Sequence, residues 1–276
     1  MKSIMHTFKE KLNYNVNKIK YYDGGVSNDN FVIDDLYVYR RKKRFSQPFY
    51  SSECELEIEK FLKDKDITVP LVDIFEDGTK ITILEKEAFD LSHKELTDEL
   101  LIKIAKKIRQ LHDLNYVASV DFNPFTRLDY YLESNHNPKR ELNDYIVKKI
   151  KKYYTDQKLI LCHNDLVPGN ILITKDGDVK LIDFEYSSNN LPFFDVISFL
   201  SENNIEDKRQ IDLFINTYYD NNPPENIEEM TNDFFNFLDL LWYNWSVMMY
   251  YNLHEPIYYY ICKAKSKRLK SIDITK

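Results

Sequence analysis

The stretch LILCHNDLVPGNILITKDGDVKLIDF, residues 159–184, constrains the fold more than any other part of the chain. Its second half has apolar runs on both sides of KDGD, a pattern that indicates a β-hairpin. The apolar run before this hairpin opens at His163 and closes after Asn170, which leaves Asp165 on the loop between them. Because a hairpin returns the chain to its starting point, we expect Asp183, just after it, to lie beside Asn170.

Asp165, Asn170 and Asp183 carry the oxygen atoms that phosphoryl transfer requires. A carboxylate and an amide carbonyl are hard ligands suited to a Mg²⁺ ion that bridges phosphates, and Asp183 and Asn170 would supply them. Asp165 would then accept a proton from an attacking hydroxyl. The alternative is a buried histidine followed by turn-forming residues, but two motifs at hairpin distance favour the catalytic interpretation.

The pattern along the chain changes near Phe89. Before it the chain is rich in short strands, with one helix at 50–65 whose candidate core residues are Leu56, Phe61 and Leu62. After it helices dominate. We therefore expect an α+β chain with a small antiparallel-sheet lobe with one helix over 1–87 and a larger, mostly helical lobe over 88–276. A cleft between two lobes is a common ligand site.

Composition limits the possible partners. The 276 residues are 43% hydrophobic and 30% charged, as in globular proteins, and the net charge of −7 argues against nucleic-acid binding. The three cysteines lack zinc-site spacing, which indicates reduced thiols in a cytoplasmic protein. Residues 1–20 lack the apolar core of a signal peptide, and the apolar stretch 238–253 is too short to span a bilayer. We expect no membrane insertion, and an oligomer is compatible with the sequence.

Glycine is scarce, with five in the chain against an average of about 7%. Such a chain is expected to keep glycine where φ is positive or where two backbone segments approach closely. Gly78 and Gly177 fit hairpin turns. The other three, Gly24, Gly25 and Gly169, lie in candidate ligand-binding loops.

The motifs HNDLVPGN and IDFE resemble the HxDxxxxN and (I)D(F/W)E signatures of the kinase-like phosphotransferases, a group that includes aminoglycoside and choline kinases. Residues 183–202, DFEYSSNNLPFFDVISFLSE, resemble the choline/ethanolamine kinase family in particular. The resemblance extends from about Tyr21 to Lys270. It implies a protein kinase-like two-lobed fold, ATP and Mg²⁺ as cofactors, and a structural role for Asp195 in supporting the catalytic loop.

The resemblance also implies nucleotide contacts in the first lobe. The segment DGGVSNDNF is similar to the phosphate-binding loop of choline kinases, and its candidate contacts are Gly25, Ser27 and Asn28. The connector EKEAF would lie near the adenine, with Glu85 and Glu87 as candidates.

Arg40 falls where choline kinases often have an arginine that clamps the nucleotide phosphates. In the family this cation is held by a helix glutamate. Glu55 is the favoured partner and Glu59 the next, although Glu53 and Glu57 occupy the same helix. Strand alternation leaves Arg41 open as the alternative to Arg40.

The same resemblance implies that the acceptor substrate binds in the second lobe, where it would contact Asp165. Trp242 and Trp245 share a helix face, and a quaternary ammonium, which donates no hydrogen bond, binds π faces and negative charge. A tryptophan pair can also be ordinary core, but the family has WxxW at this point. The further substrate candidates are Tyr186 and Glu202.

These features together predict a choline kinase that makes phosphocholine, a step of phospholipid metabolism. Ethanolamine kinase is the first alternative, because a primary ammonium fits the same site more loosely. An aminoglycoside-type phosphotransferase would need an open acidic surface. A pseudokinase that only binds would normally lack Asp165, Asn170 or Asp183, and all three are present.

Overall fold

The computed structural model describes residues 2–22, 28–43, 49–93, 95–135, 140–270 and 272. The chain forms two compact units that interleave in sequence. The first comprises Met1–Thr97 and Pro168–Ser187, and the second comprises Asp98–Val167 and Ser188–Lys276. The domain boundary between residues 87 and 88 remains a prediction. The hairpin predicted around KDGD lies in the first of the two units.

In chain order the helices and strands are α1 (Lys2–Leu12), β1 (Ile19–Tyr22), β2 (Asn28–Ile33), β3 (Tyr37–Lys42), α2 (Ser52–Leu62), β4 (Leu71–Ile74), β5 (Lys80–Ile83), β6 (Phe89–Asp90), α3 (Asp98–Asp113), α4 (Pro124–Glu133), α5 (Arg140–Tyr154), β7 (Ile160–Cys162), β8 (Ile171–Ile173), β9 (Val179–Leu181), β10 (Ser188–Asn190), α6 (Pro192–Glu202), α7 (Lys208–Tyr218), α8 (Ile227–Leu253) and α9 (Pro256–Leu269).

The first unit is built on an antiparallel sheet with the strand order β1-β2-β3-β5-β4. Asp34, Asp35 and Leu36 connect β2 to β3, and the two aspartates have φ values of 50° and 52°. Aspartate tolerates a positive φ better than most residues, which suits it to this tight connection. This turn places β3, and with it Arg40, in the middle of the sheet.

Helix α1 is a second helix in a region for which the sequence predicted one. Ile4 and Phe8 lie one turn apart on it and pack into the same buried cluster as Ile33, Tyr39 and Ile81 of the sheet. Leu12, one turn further on, packs against the same cluster, but the other residues of α1 are mostly polar, so this short stripe gave little periodic signal. Tertiary packing therefore accounts for this helix better than local pattern does.

Helix α2 starts at an N-cap, Ser51, whose hydroxyl accepts a hydrogen bond from the Cys54 amide at 3.2 Å. Its buried face includes two glutamates, Glu55 and Glu59. Of the predicted core positions Leu62 is buried, but Leu56 and Phe61 are only half-buried. The prediction was wrong at these two positions because cations of the sheet draw the glutamates inward.

The hairpin predicted from KDGD is confirmed as β8 and β9, with Ile171 opposite Leu181 and a φ of 78° at Gly177. The Ile182 amide donates to the Asn170 carbonyl at 2.9 Å, so Asp183 follows directly beside Asn170, as expected. Gly169 has an ordinary φ, and a Cβ there would meet nothing within 4 Å. The expectation of a steric need for glycine at this position was wrong within this structure.

The second unit is mostly helical, with β7 and β10 paired antiparallel beside the helices. Helix α8 packs against α4, α5, α6 and α9. Among the described residues, no helix is both long enough and apolar enough to cross a membrane. All three cysteines lie in the described ranges, and none of them forms a disulfide.

Candidate functional site

Arg40 is the centre of a buried ionic cluster in the first unit. One guanidinium nitrogen donates to Glu55 and the other to Asp183. Its pairing with Glu55 is the one that the sequence favoured, whereas Glu59 pairs with Lys80 instead. Burial alone would lower the pKa of Arg40, but the carboxylates of Asp183 and Glu55 outweigh burial and raise it. The guanidinium is therefore a permanent positive charge.

Lys42 adds a second cation two residues along the same strand. Its ammonium donates to Glu185 at 3.1 Å, lies 3.8 Å from Glu55 and sits over the ring of Tyr50. Burial lowers the pKa of Lys42, and the two carboxylates only partly offset this effect. Asn28, the first residue of β2, is also buried and donates to Glu185 at 3.3 Å.

Asp183 and Asn170 stand at the open end of the β8–β9 hairpin. Asp183 has a left-handed backbone (φ 68°, ψ 64°) at the start of the short turn Phe184–Tyr186. Such a conformation is uncommon for a residue with a side chain and is found preferentially at functional sites. One carboxylate and one amide next to each other, with buried Glu185 two residues on, form a hard-oxygen donor set.

The other residues that the sequence suggested as nucleotide contacts differ in exposure and pairing. Gly25 and Ser27 lie outside the described residues. Arg41 is exposed and pairs with Asp29 at 3.1 Å, so the alternation of β3 turns Arg40 rather than Arg41 inward. Glu85 is half-buried, whereas Glu87 is an exposed residue that accepts a hydrogen bond from Lys175 at 2.8 Å.

Asp165 belongs to the second unit, on the loop that follows β7, and is half-buried. The loop is held on both sides of it. The Asn164 amide side chain donates to the Ser188 carbonyl at 3.2 Å and accepts from Asn190 at 2.8 Å. On the other side, Asn203 donates to the Leu166 carbonyl at 3.1 Å. These contacts hold the backbone of the loop on both sides of Asp165.

Asp195 holds the start of the same loop. From the first turn of α6 its fully buried carboxylate accepts hydrogen bonds from the backbone amides of His163 at 2.6 Å and Asn164 at 2.7 Å. His112 of α3 contacts the carboxylate at 3.1 Å and is itself hydrogen-bonded to Tyr218 at 2.8 Å. These contacts give Asp195 the supporting position that the resemblance implied.

Trp242 and Trp245 lie edge to face on α8, with ring centroids 5.9 Å apart and an interplanar angle of 84°. Tyr258 of α9, which the sequence did not single out, adds a third ring 5.5 Å from Trp245, again edge to face. Both tryptophans are half-buried rather than core residues. Within the described part of the chain, the buried Trp242 Nε1 and Tyr258 hydroxyl have no hydrogen-bond partner. Tyr186, the remaining aromatic candidate, is half-buried in the first unit.

Glu202, at the end of α6, is already paired with a cation of the chain. It accepts a hydrogen bond from the buried ammonium of Lys265 on α9 at 2.7 Å. Sequence reasoning missed Lys265, and it also missed Lys42 and Lys80. Lysines in a chain rich in charge are normally solvated, and no spacing pattern marks the few that are buried.

Comparison with known proteins agrees with this geometry. The family model described as choline/ethanolamine kinase matches residues 23–261. LicA of Haemophilus influenzae is 25% identical over 209 residues, a match spanning 71% of this chain and 61% of the relative. The chain therefore spans less than two thirds of the length of the first curated relatives that it matches.

Solved structures resemble the chain over nearly all of its length. Choline kinase LicA from Streptococcus pneumoniae superposes with a TM-score of 0.81 at 20% identity, covering 98% of this chain and 99% of the other. An ADP-bound aminoglycoside phosphotransferase, APH(2'')-Ib, superposes with a TM-score of 0.66 at 19% identity and covers 97% and 96%.

The fold is therefore the protein kinase-like α+β fold that the motifs predicted. The chain belongs to the choline/ethanolamine kinase family.

Proposed function

We propose that the chain transfers the γ-phosphoryl group of ATP to the hydroxyl of choline and releases phosphocholine and ADP. The observation that carries the proposal is the aromatic group on α8 and α9, in which the half-buried rings of Trp242 and Trp245 and the ring of Tyr258 lie edge to face. Aromatic faces suit a quaternary ammonium, which has no hydrogen to donate.

The nucleotide phosphates are assigned to the cations of the first unit. Arg40 has a planar pair of donors suited to phosphate oxygens, and Glu55 orients it from α2. Lys42 supplies a second positive charge on the same strand. The ADP in a solved structure of the same fold supports a nucleotide for this chain as well.

Asn170 and Asp183 fit a Mg²⁺ ion by the chemistry of their donors, since both offer hard oxygens at adjacent positions of one hairpin. When bound, the ion offsets charge on the phosphates. Asp183 also accepts a hydrogen bond from Arg40. The carboxylate therefore orients the guanidinium and, in this proposal, is shared with the ion.

Asp165 is assigned the role of the base. The choline oxygen attacks the γ-phosphorus, the bond from that phosphorus to the bridging oxygen of ADP breaks, and the hydroxyl proton passes to the Asp165 carboxylate. Hydrogen bonds at Asn164 and Leu166 hold the backbone on either side of this residue. Holding the acceptor of the proton in place contributes to the rate by orientation.

Ethanolamine is the closest alternative acceptor, because its ammonium fits the same rings with weaker shape complementarity. An aminoglycoside is less well supported, since it presents several ammonium groups that need several exposed carboxylates. Glu202 and Asp239, two carboxylates of the same unit, are both paired with cations of the chain.

The test is direct detection of product. The purified full chain is incubated with Mg²⁺ and ATP and, separately, with choline, ethanolamine or kanamycin, and phosphorylated products are measured by mass spectrometry. Phosphocholine is the expected product, and Asp165→Asn should abolish most of it. Phosphorylation of kanamycin alone would assign the chain to the aminoglycoside class, and no phosphorylated product would refute the proposal.

A further inference from the structure

The side-chain ammonium of Lys265 on α9 is surrounded by oxygen atoms, as the ammonium of a bound primary amine would be. Lys265 is 5% exposed, and three oxygens surround its Nζ: Glu202 at 2.7 Å, the Ser201 hydroxyl at 3.2 Å and Asp239 at 3.4 Å. A lysine ammonium has three N–H donors and no acceptor, so three oxygens satisfy it. The second unit thus contains an ammonium site that the chain itself fills.

The charges of this cluster balance. Asp239 accepts two further hydrogen bonds from Arg268, at 2.8 and 2.7 Å. Two carboxylates therefore face two cations, and three of the four side chains are largely buried. A buried charge is tolerated when it is paired and hydrogen-bonded, and removal of one partner leaves the other uncompensated.

The cluster spans α6, α8 and α9, and the last two of these helices also carry the aromatic group. On α8, Asp239 comes three residues before Trp242, which places it on the same face and about 4.5 Å along the helix axis. On α9, Lys265 comes seven residues, about two turns, after Tyr258. Asp239, one of the two carboxylates that pair with Lys265, thus lies within one helical turn of Trp242, a ring assigned to the substrate.

We propose that Lys265 determines which amine the site accepts. By occupying Glu202 and Ser201, it withholds the oxygens to which a primary ammonium substrate would donate. A primary ammonium must then lose hydrogen bonds to water without replacement, which costs affinity. A quaternary ammonium has no such bonds to lose and keeps its contacts with the rings. Lys265 therefore favours choline over ethanolamine, an inference that rests on the proposed function.

The experiment compares kcat/KM for ethanolamine and for choline in the full chain and in Lys265→Met, with melting temperatures as the check of folding. The variant keeps the apolar stem and frees Glu202 and Ser201, so the ethanolamine-to-choline ratio should rise about tenfold, mainly through a lower KM for ethanolamine. Lys263→Met, an exposed position on the same helix, is the matched control and should leave the ratio unchanged. Lys265→Arg, which keeps the positive charge, should leave most of the choline preference intact.

An unchanged ratio in a folded and active Lys265→Met variant would overturn the inference and leave the proposed function standing. An equal loss with both amines, together with a lower melting temperature, would also overturn it, because it would make Lys265 purely structural. If Lys265→Met does not fold, Lys265→Gln removes the positive charge that pairs with Glu202 and should still raise the ratio, by a smaller factor because its amide can donate to the same oxygens. Activity of the unmodified chain toward neither amine would refute the proposed function, and the inference with it.

Discussion

Asp165 is the single side chain on which the proposed proton transfer depends, and its neighbours fix its backbone from both sides. Asp165→Asn should lower kcat by about 10²–10⁴-fold, the usual contribution of positioned acid–base catalysis. The affinity for Mg·ATP, measured by calorimetry, should change little, because nucleotide binding is assigned to other residues. Asp144→Asn, an exposed position on α5, is the control. Turnover within a few-fold of the unmodified chain would remove Asp165 from the mechanism.

Single residues differ in how far the sequence could place them. Arg40 and Glu55 were paired correctly, because a central strand and the helix after it bring an arginine and a glutamate together within fifteen residues. The state of Glu202 was not foreseen, because its partner Lys265 lies 63 residues further along the chain. Pairing at that range depends on how α9 packs against α6 and α8, which local patterns do not reveal.

Helix α6 supports the catalytic loop through one buried residue. Asp195→Ala should lower the free energy of unfolding by about 2–6 kcal/mol, since two buried backbone donors lose their acceptor at about 1–3 kcal/mol each. Urea denaturation of the full chain measures this. Asp129→Ala, exposed on α4, should change it by less than about 0.5 kcal/mol. A loss as small as that of the control would show that Asp195 does not hold the loop.

Whole elements were predicted best where a local rule determines them. The β8–β9 hairpin follows from a turn glycine between apolar runs. Helix α1 was missed because Ile4, Phe8 and Leu12, which pack against the cluster of the sheet, are separated by mostly polar residues and form too short a stripe to establish a period. On α2, Leu56 and Phe61 were expected inside, but ion pairs decided which side faces inward, and these involve Arg40 and Lys80 of the neighbouring strands.

The first compact unit consists of two separate pieces of the chain, and the second piece supplies Asp183 and Glu185, two of the acidic partners of its buried cations. A fragment of residues 1–97 lacks Asp183, Glu185 and the strand that pairs with β6. It should show no cooperative thermal transition, because Arg40 and Lys42 then share Glu55 as a partner without Asp183 and Glu185, and buried positive charge is left uncompensated. The same fragment with residues 168–187 appended through a flexible Gly/Ser linker should regain one. Equal melting curves for the two fragments, followed by circular dichroism, would contradict this account.

At the scale of the whole molecule, the account assigns the two substrates to different residues: the nucleotide to the cations around Arg40, and the amine to the rings around Trp245. The measurement that tests this most directly is the pair of KM values, for choline and for ATP, in Trp245→Ala. Loss of a shielded cation–π contact of about 2 kcal/mol predicts a roughly thirtyfold higher KM for choline with little change for ATP. Trp245→Phe should recover part of the loss, and Tyr251→Ala, an exposed aromatic of the same helix, should change neither constant. A variant that only melts at a lower temperature, or whose two KM values rise together, would show that Trp245 is a packing residue and would contradict the account.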